Sequence, residues 1–309
     1  MVVTHGTLRP GTDRHALTVG NFDGVHLGHR TMLERVVASA KALGVRSCVL
    51  TFEPHAREFF APATAPTRLT RLRDKLELFA EAGIERVHVA RFDARLASVA
   101  AERFVDEMLL QGLGTAWLLV GRDFRFGAKR AGDFALLERL ARERGLRLEA
   151  MPEVMQEGVR VSSSAVRAAL AAGELERAAQ LLGRPFTMSG RIAHGERLGR
   201  SLGFPTANIV LRRRPPLAGV FVVEAELEET HARLRGAASV GRRPTLRADA
   251  APLLEVHLLD FAEAIYGRHL RVTFLARLRD EERYDGLEAL RAAIARDVSR
   301  TREYFKDHG

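Results

Sequence analysis

Short apolar runs alternate with amphipathic helical segments from residue 16 to about residue 150 of this chain. This alternation is typical of βα units, in which crossover helices join parallel strands. The predicted strands are 16–19, 46–52, 86–90, 116–120 and 147–151, and the predicted helices between them are 30–43, 74–82, 101–110 and 133–144. The pattern predicts a doubly wound parallel sheet, whose ligand site lies at the carboxyl ends of the strands.

After residue 186 the pattern changes, because strand-like segments follow one another without helices between them. These segments are 191–192, 207–211, 220–227, 236–240, 253–259 and 270–277. Consecutive strands without crossovers pair antiparallel, and six of them indicate a small barrel. Helices are predicted before the barrel, at 163–171 and 174–182, and after it, at 285–304. We therefore expect an α/β domain over residues 1–183 and an antiparallel six-stranded barrel with a terminal helix over residues 184–309.

The composition argues against several classes of protein. The net charge is +9, from 48 basic and 39 acidic residues, but the excess is spread over both halves, so we expect no nucleic-acid partner. The longest charge-free stretch, 108–121, is shorter than the roughly 20 apolar residues that span a bilayer. The first fifteen residues lack a secretory signal, and the single Cys48 cannot form an internal disulfide. We expect a cytoplasmic protein without a membrane partner, and we leave a weak homo-oligomer open.

The sequence GNFDGVHLGH, residues 20–29, comes directly after the first predicted strand. His26 and His29 are three residues apart at the entry to a helix, so they share one face over its N-terminus, where free N–H groups favour an anion. Gly28 leaves room for a phosphate. Imidazoles placed there can stabilise the charge on a transferring phosphoryl group. Two solvated histidines at a helix start are the alternative interpretation.

Two further segments are expected at the same edge of the sheet. The first, 118–127, joins arginines and phenylalanines to glycines, which suits a phosphate-bearing aromatic ligand; alternatively, its phenylalanines pack down beneath a surface loop. The second, 161–167, places Ser162, Ser163 and Ser164 at a helix start with Arg167 one turn later. Hydroxyls, free N–H groups and a guanidinium bind phosphate, although a plain serine cap fits as well.

The second half contains no P-loop, yet residues 199–208 offer another way to bind a nucleotide. Glycines there permit close approach, and Thr206 and Asn208 follow Pro205 at positions i and i+2. On an extended chain both side chains face one side, which suits Mg²⁺ whose other ligands are phosphate and water. A turn after Pro205 is the alternative.

Residues 20–29, 51–55, 120–127 and 161–167 together resemble the adenylyltransferase domain of the bifunctional riboflavin kinase/FMN adenylyltransferases, the prokaryotic FAD synthetases. The resemblance implies that the FMN phosphate attacks the α-phosphorus of ATP and that His26 and His29 are catalytic. It also implies contacts to ATP from Gly20, Phe22, Asp23, Gly28, Ser162, Ser163, Ser164 and Arg167, and contacts to FMN from His55, Asp123, Phe124, Arg125 and Phe126. Because the FMN phosphate is already ionised, this reaction needs no general base.

Segments of the second half resemble the riboflavin kinase module of the same family: 199–208, 219–221, 241–245, 255–261, 266–267 and 278–281. The resemblance implies a flavokinase barrel with riboflavin and ATP as substrates. It implies Mg²⁺ and ATP contacts from Thr206 and Asn208, nucleotide or flavin contacts from Gly199, Gly203, Pro205 and Arg279, and a general base, Glu255. A base is required because the ribityl hydroxyl must lose a proton. A glutamate on an edge strand facing water is the alternative interpretation of Glu255.

Four residues depart from the usual pattern of the family without removing a residue that has an implied chemical role: Ala56, Phe221, Ser239 and Ala264. A different acceptor also remains open at this stage. The first domain could adenylylate another phosphorylated cofactor precursor, with the barrel as an accessory flavin-binding module.

Overall fold

The computed structural model describes residues 1–8, 13–194, 202–241 and 251–308. Its internal contacts divide the chain into two compact units, the first formed by residues 1–66 and 72–162 and the second by residues 67–71 and 163–309. The expected domain boundary at residues 183/184 stays a prediction. None of the helices in the described ranges combines the length and hydropathy needed to cross a membrane.

The first unit contains a six-stranded parallel sheet. Its strands are β1 (Val2–His5), β2 (His15–Val19), β3 (Arg46–Glu53), β4 (Arg86–Arg91), β5 (Thr115–Gly121) and β6 (Arg147–Met151). The spatial order is β1-β4-β3-β2-β5-β6, and every neighbouring pair is parallel. The sequence correctly predicted five of these strands but missed β1. This edge strand is partly exposed on both faces and lacks the apolar run by which the other strands were found.

Helices connect these strands. They are α1 (Leu27–Leu43), α2 (Ala56–Phe60), α3 (Leu72–Glu81), α4 (Ala94–Ala97), α5 (Ala101–Arg103) with its π-helical continuation Phe104–Gly112, and α6 (Phe134–Arg144). A short 3₁₀ turn, Ala128–Arg130, and a two-stranded hairpin, β7 (Met155–Gln156) and β8 (Val159–Arg160), complete the unit. The helix predicted to begin at residue 30 begins earlier, at Leu27, because the His26 side chain caps it.

Two apolar clusters cover the two faces of the parallel sheet. One contains Leu17, Leu50 and Leu118 together with the π-helical segment, and the other contains Val49 and Leu119 with buried residues of α1 and α3. The strand order reverses between β2 and β5. In a doubly wound sheet the ligand crevice opens at the carboxyl ends of the strands at this point. The loops after β2 and β5 are therefore expected to line a site.

The second unit contains a six-stranded antiparallel sheet. Its strands are β9 (Thr187–Arg191), β10 (Ala207–Val210), β11 (Gly219–Leu227), β12 (Ala232–Gly241), β13 (Leu253–Leu258) and β14 (His269–Arg279), in the order β10-β13-β12-β11-β14-β9. A bridge between Ala193 and Asn208 joins the two ends of this order. The sheet is thus a nearly closed barrel, which confirms the predicted architecture. Its helices are α7 (Ser163–Ala172), α8 (Leu175–Leu182) and α9 (Leu287–Asp307).

Two buried histidines lie toward the amino ends of the parallel strands. His15 Nδ1 lies 2.5 Å from the Leu113 carbonyl oxygen, and His15 Nε2 lies 3.3 Å from Arg86 Nη1. The Thr4 hydroxyl lies 2.9 Å from His88 Nδ1. Burial, reinforced by the charge of Arg86, lowers the pKa of His88 to about 4, and burial also lowers the pKa of His15. Both rings are therefore neutral in the folded unit.

This burial predicts acid sensitivity of the first unit. The folded pKa values lie below the unfolded value of 6.5, so the stabilisation is complete above pH 6.5 and is lost as the pH falls toward 4. We expect the free energy of unfolding to fall by about 3 kcal/mol between these limits through His88 alone. Urea unfolding followed by fluorescence of the single tryptophan, Trp117 in β5, measures it. His88→Gln should flatten the pH dependence, and an unchanged slope would contradict this explanation.

Candidate active sites

The loop after β2 has an unusual backbone. Phe22 and Val25 adopt positive φ angles of 50° and 41°, a conformation that is uncommon for large side chains and rare for a β-branched residue. The Val25 N–H donates to the Phe22 carbonyl at 3.2 Å, and the Gly20 N–H donates to the Leu50 carbonyl at 3.1 Å. Phe22 is 2% exposed and packs edge-on against Phe79 of α3. Side-chain burial and hydrogen bonds therefore hold a strained loop at the crevice.

His26 and His29 form a stacked pair at the start of α1. Their ring centroids are 3.7 Å apart with an interplanar angle of 17°, and His26 Nδ1 accepts a hydrogen bond from the His29 N–H at 3.3 Å. A Cβ added at Gly28 would lie 3.3 Å from His26 Nδ1, so the glycine also makes room for this ring. The structure thus brings the two predicted catalytic histidines together and does not support the alternative of two independent solvated side chains.

The environment of His29 keeps its ring neutral. Burial and the charges of neighbouring His26 and Lys75 hold the pKa of His29 well below its usual value of 6.5. Its Nδ1 is buried and has no hydrogen-bond partner among the described residues. A buried polar atom without a partner is costly. His29 can therefore offer this nitrogen to a ligand that enters the crevice.

His55 follows β3 at the same edge of the sheet and is 7% exposed. Its backbone N–H donates to Glu58 Oε2 at 3.0 Å, and its Nε2 lies 3.3 Å from Lys75 Nζ. Ala56, which departs from the family pattern, is the first residue of α2. Because Lys75 Nζ also donates to the Asn21 carbonyl at 2.7 Å, one side chain contacts both His55 and the loop of the histidine pair.

The loop after β5 contains the predicted FMN contacts. Phe126 is 5% exposed and stacks against Phe124 at 5.4 Å, within the apolar cluster that covers one face of the sheet. The alternative, in which the phenylalanines pack down, thus describes Phe126, while Arg125 remains exposed. Asp123 is also exposed and pairs with Arg160 at 2.8 Å. FMN contacts from this loop stay predictions.

The predicted triphosphate residues are divided between the two units. Ser162 ends the first unit, while Ser163 begins α7 of the second. Ser164 is exposed, and Arg167 Nε donates to the Thr67 carbonyl at 2.6 Å within the second unit. The roles assigned to these residues by resemblance stay predictions.

A row of residues in register crosses the barrel sheet. Asn208 of β10 lies opposite Glu255 of β13, and Glu255 lies opposite Ser239 of β12. Val220 of β11 is opposite both Ser239 and Arg279 of β14. Side chains of residues directly opposite each other share a face, about 5 Å apart at Cβ. The candidate metal ligand and the candidate base are therefore immediate neighbours, and β13 is an inner strand rather than an edge.

Asn208 suits an oxygen ligand for a hard cation. The residue is 7% exposed, and its Nδ2 donates to the Thr206 carbonyl at 3.3 Å. Its Oδ1 is buried and has no hydrogen-bond partner in the described part of the chain. Amide oxygens are among the ligands of Mg²⁺ and Ca²⁺ in proteins. The orphaned oxygen therefore fits the predicted magnesium site, whereas no cluster of three or more His, Cys, Asp or Glu residues suited to a metal occurs in the described ranges.

Glu255 has a second carboxylate near it, which sequence reasoning did not single out. Burial, together with the charge of Glu255, raises the pKa of Glu281 above its usual value of 4.5. The Glu281 carboxylate occupies the space where a Cβ at Gly241 would stand. A carboxyl group whose pKa is raised beside a second carboxylate is a feature of proton-transfer sites. The sequence signal was the neighbouring motif LRDE, residues 278–281, in which only Arg279 received a role.

Arg279 is held by an ion pair with the terminal helix. Its Nε and Nη2 lie 3.0 and 2.6 Å from the carboxylate oxygens of Asp297, which is 6% exposed. Asp297 was missed because one acidic residue on a charged helix has no distinctive pattern.

The other predicted kinase residues lie before β10. They are Gly203, Pro205 and Thr206, and the Pro205 carbonyl lies 2.9 Å from His257 Nδ1. The predicted contact Gly199 lies outside the described residues, as does most of the segment 241–245.

Comparison with known families matches both units. A family model described as FAD synthetase matches residues 9–165, and a model described as riboflavin kinase matches residues 182–305. These matches agree with the order of the two predicted functions along the chain.

Individual proteins give the same result. The bifunctional riboflavin kinase/FMN adenylyltransferase of Pseudomonas fluorescens is 48% identical over 96% of this chain and 94% of its own length. The protein of the same name from Escherichia coli (strain K12) is 47% identical over 94% of this chain and 92% of its own. A crystal structure titled as a macrolide-efflux protein from Streptococcus pneumoniae has a TM-score of 0.80 at 26% identity, covering 98% of this chain and 99% of that one. The fold extends over the whole of both chains.

Proposed function

Because the chain belongs to the family of bifunctional riboflavin kinases/FMN adenylyltransferases, we propose that its two reactions are carried out by the two groups of residues described above. The enzyme phosphorylates riboflavin to FMN with ATP, and it transfers the adenylyl group of a second ATP to FMN, which releases pyrophosphate. The observation that carries the residue assignment is that two buried polar atoms, His29 Nδ1 and Asn208 Oδ1, have no hydrogen-bond partner among the residues that the structure describes.

For adenylyl transfer we assign the charge-stabilising role to the histidine pair. The nucleophile is an ionised phosphate oxygen of FMN, so the protein needs to position it and to stabilise the charge on the α-phosphoryl group. Neutral His29 can donate a hydrogen bond from Nδ1, and the N-terminus of α1 adds N–H groups and the positive end of its dipole. His55 lies beside this loop, where FMN is expected.

For phosphorylation of riboflavin, Glu255 is the general base. It accepts the proton of the ribityl hydroxyl while that oxygen bonds to the γ-phosphorus of ATP and the bond between the γ-phosphorus and the β-phosphate oxygen breaks, which releases ADP. Its neighbour Asn208, with Thr206, would hold Mg²⁺, which neutralises charge on the phosphate oxygens when bound. Arg279, positioned by Asp297, supplies a further positive charge near the carboxylates.

The metal assignment predicts a specific effect of Asn208→Ala. Removing the amide oxygen should lower the rate of FMN formation at least tenfold, on the order of the loss caused by removing one charge-stabilising group, and should raise the Mg²⁺ concentration needed for half-maximal rate. Asn208→Asp keeps an oxygen at the same place and should retain the Mg²⁺ response better. Conversion of FMN to FAD serves as the control in each protein. An unchanged Mg²⁺ response in Asn208→Ala would remove this residue from the metal site.

A further inference from the structure

Lys75 is unusual because its charged side chain is buried inside the first unit. It lies on α3 and is 0% exposed, although lysine is almost never fully buried. Its Nζ donates to the Asn21 carbonyl at 2.7 Å and lies 3.3 Å from His55 Nε2. The buried ammonium therefore contacts the loops that follow two adjacent strands, β2 and β3.

The contact with Asn21 bears on the strained loop. Asn21 directly precedes Phe22, whose φ angle is 50°, and the same carbonyl is 3.5 Å from the Thr51 hydroxyl. A strained backbone persists only where surrounding contacts hold it. A charged donor bound to this carbonyl is stronger than a neutral one, so Lys75 contributes to the conformation that presents His26 and His29.

We propose that Lys75 is a positioning residue for adenylyl transfer, because its buried ammonium ties the loop of the histidine pair to the ring of His55. The proposal rests on the function proposed above for these histidines. Since Lys75 is fully buried, it acts through them and does not touch a substrate itself.

The chemistry of the ammonium determines the state of His55. An ammonium group has only donors, so its hydrogen bond to His55 requires an unprotonated Nε2 and places the ring proton on Nδ1. The titratable groups that interact with Lys75 include His55, by the hydrogen bond, and His29, through the charge of the ammonium, while Glu58 accepts a hydrogen bond from the His55 N–H. The charge of Lys75 also lowers the pKa of His29, after the effects of burial and His26. Lys75 thereby favours neutral rings at the site.

The test combines nitrogen NMR of the histidine rings with kinetics of the whole enzyme. In the wild type, His55, assigned by its absence in His55→Gln, should show a protonated Nδ1 and an unprotonated Nε2. In Lys75→Met the preference of His55 for this tautomer should be lost and the pKa of His29 should rise. The kcat for FMN to FAD should fall by about 10- to 100-fold, the range expected for misplaced reacting groups. Exposed Lys41 of α1 provides the matched control. Lys41→Met should change neither the protonation of the two histidine rings nor the kcat for FAD formation.

Each outcome decides the proposal. A proton on Nε2 of His55 in the wild type overturns it, even where Lys75→Met fails to fold. Unchanged FAD formation by folded Lys75→Met also overturns it, provided that His29→Ala abolishes that reaction. If His29→Ala leaves FAD formation unchanged, the failure belongs to the function proposed for the histidine pair. A shifted His29 pKa and an altered His55 tautomer with slower FAD formation support the positioning role, because a purely structural lysine would not change the protonation of these rings.

Discussion

Glu255→Gln should abolish the conversion of riboflavin to FMN while leaving the conversion of supplied FMN to FAD intact. The amide cannot accept the proton of the ribityl hydroxyl, and removal of a general base lowers a rate by about 10²- to 10⁴-fold. The substitution keeps the size of the side chain next to Asn208, so the barrel should retain its packing. Chromatographic separation of riboflavin, FMN and FAD during the reaction measures both steps in one sample.

Exposed Glu263 in the same unit offers the matched control. Glu263→Gln removes a carboxylate that does not belong to the row of residues across the sheet, so both reactions should be unchanged. Full FMN formation by Glu255→Gln would show that another group is the base, and Glu281, whose pKa is raised by burial and by the charge of Glu255, is the first candidate. Simultaneous loss of both reactions would contradict the assignment of two independent sites.

His29→Ala should have the reverse effect. FMN formation should be retained, whereas FAD formation should fall by about 10²- to 10³-fold, the usual cost of removing one hydrogen-bond donor aimed at transition-state charge. The loss should appear mainly in kcat, because the contact strengthens as charge develops on the α-phosphoryl group. Steady-state kinetics with FMN and ATP as substrates measure it.

Two controls accompany this variant. His5→Ala removes an exposed histidine of the same unit and should change neither reaction. Trp117 fluorescence during unfolding shows whether the first unit remains folded, since the chain has a single tryptophan. FAD formation at the wild-type rate by a folded His29→Ala protein would remove the imidazole from the mechanism.

The sequence predicted the architecture well because each half has one strong periodicity. Alternating strand and helix patterns indicated the parallel sheet, and six strands without crossovers indicated the barrel. The elements that were missed are those without such a pattern. Edge strand β1 lacks a buried apolar run, and α2 is a five-residue helix. The predicted helix 101–110 continues as a π-helical segment, a variation that apolar spacing does not distinguish from an α-helix.

The sequence predicted which residues could carry the chemistry, but not how tertiary contacts hold them. The spacing of His26 and His29 predicted a shared face, and their rings do stack, whereas the register of Asn208 with Glu255 was not predicted. Lys75 had no assigned role, since its helix was recognised by its apolar face and a lysine is ordinarily assigned to solvent. Its burial depends on the loops after β2 and β3, which meet only in the folded unit.

The departures from the family pattern are also explained only in part. Phe221 is fully buried and packs edge-on against Phe274, so its environment accepts a ring without the hydroxyl of the more usual tyrosine. Ser239 lies in the row across the sheet beside Glu255. Ala264 is exposed, and nothing in the structure explains its difference from the usual acidic residue.

The most direct test of the two-reaction assignment is a time course with the purified 309-residue chain, riboflavin, ATP and Mg²⁺, in which riboflavin, FMN and FAD are separated and quantified. We expect FMN to appear first and FAD to follow, with one equivalent of pyrophosphate released for each FAD. Accumulation of FMN without FAD, including when FMN and ATP are supplied directly, would contradict the function of the first unit and restore a different acceptor as its substrate. Absence of FMN would contradict the function of the barrel.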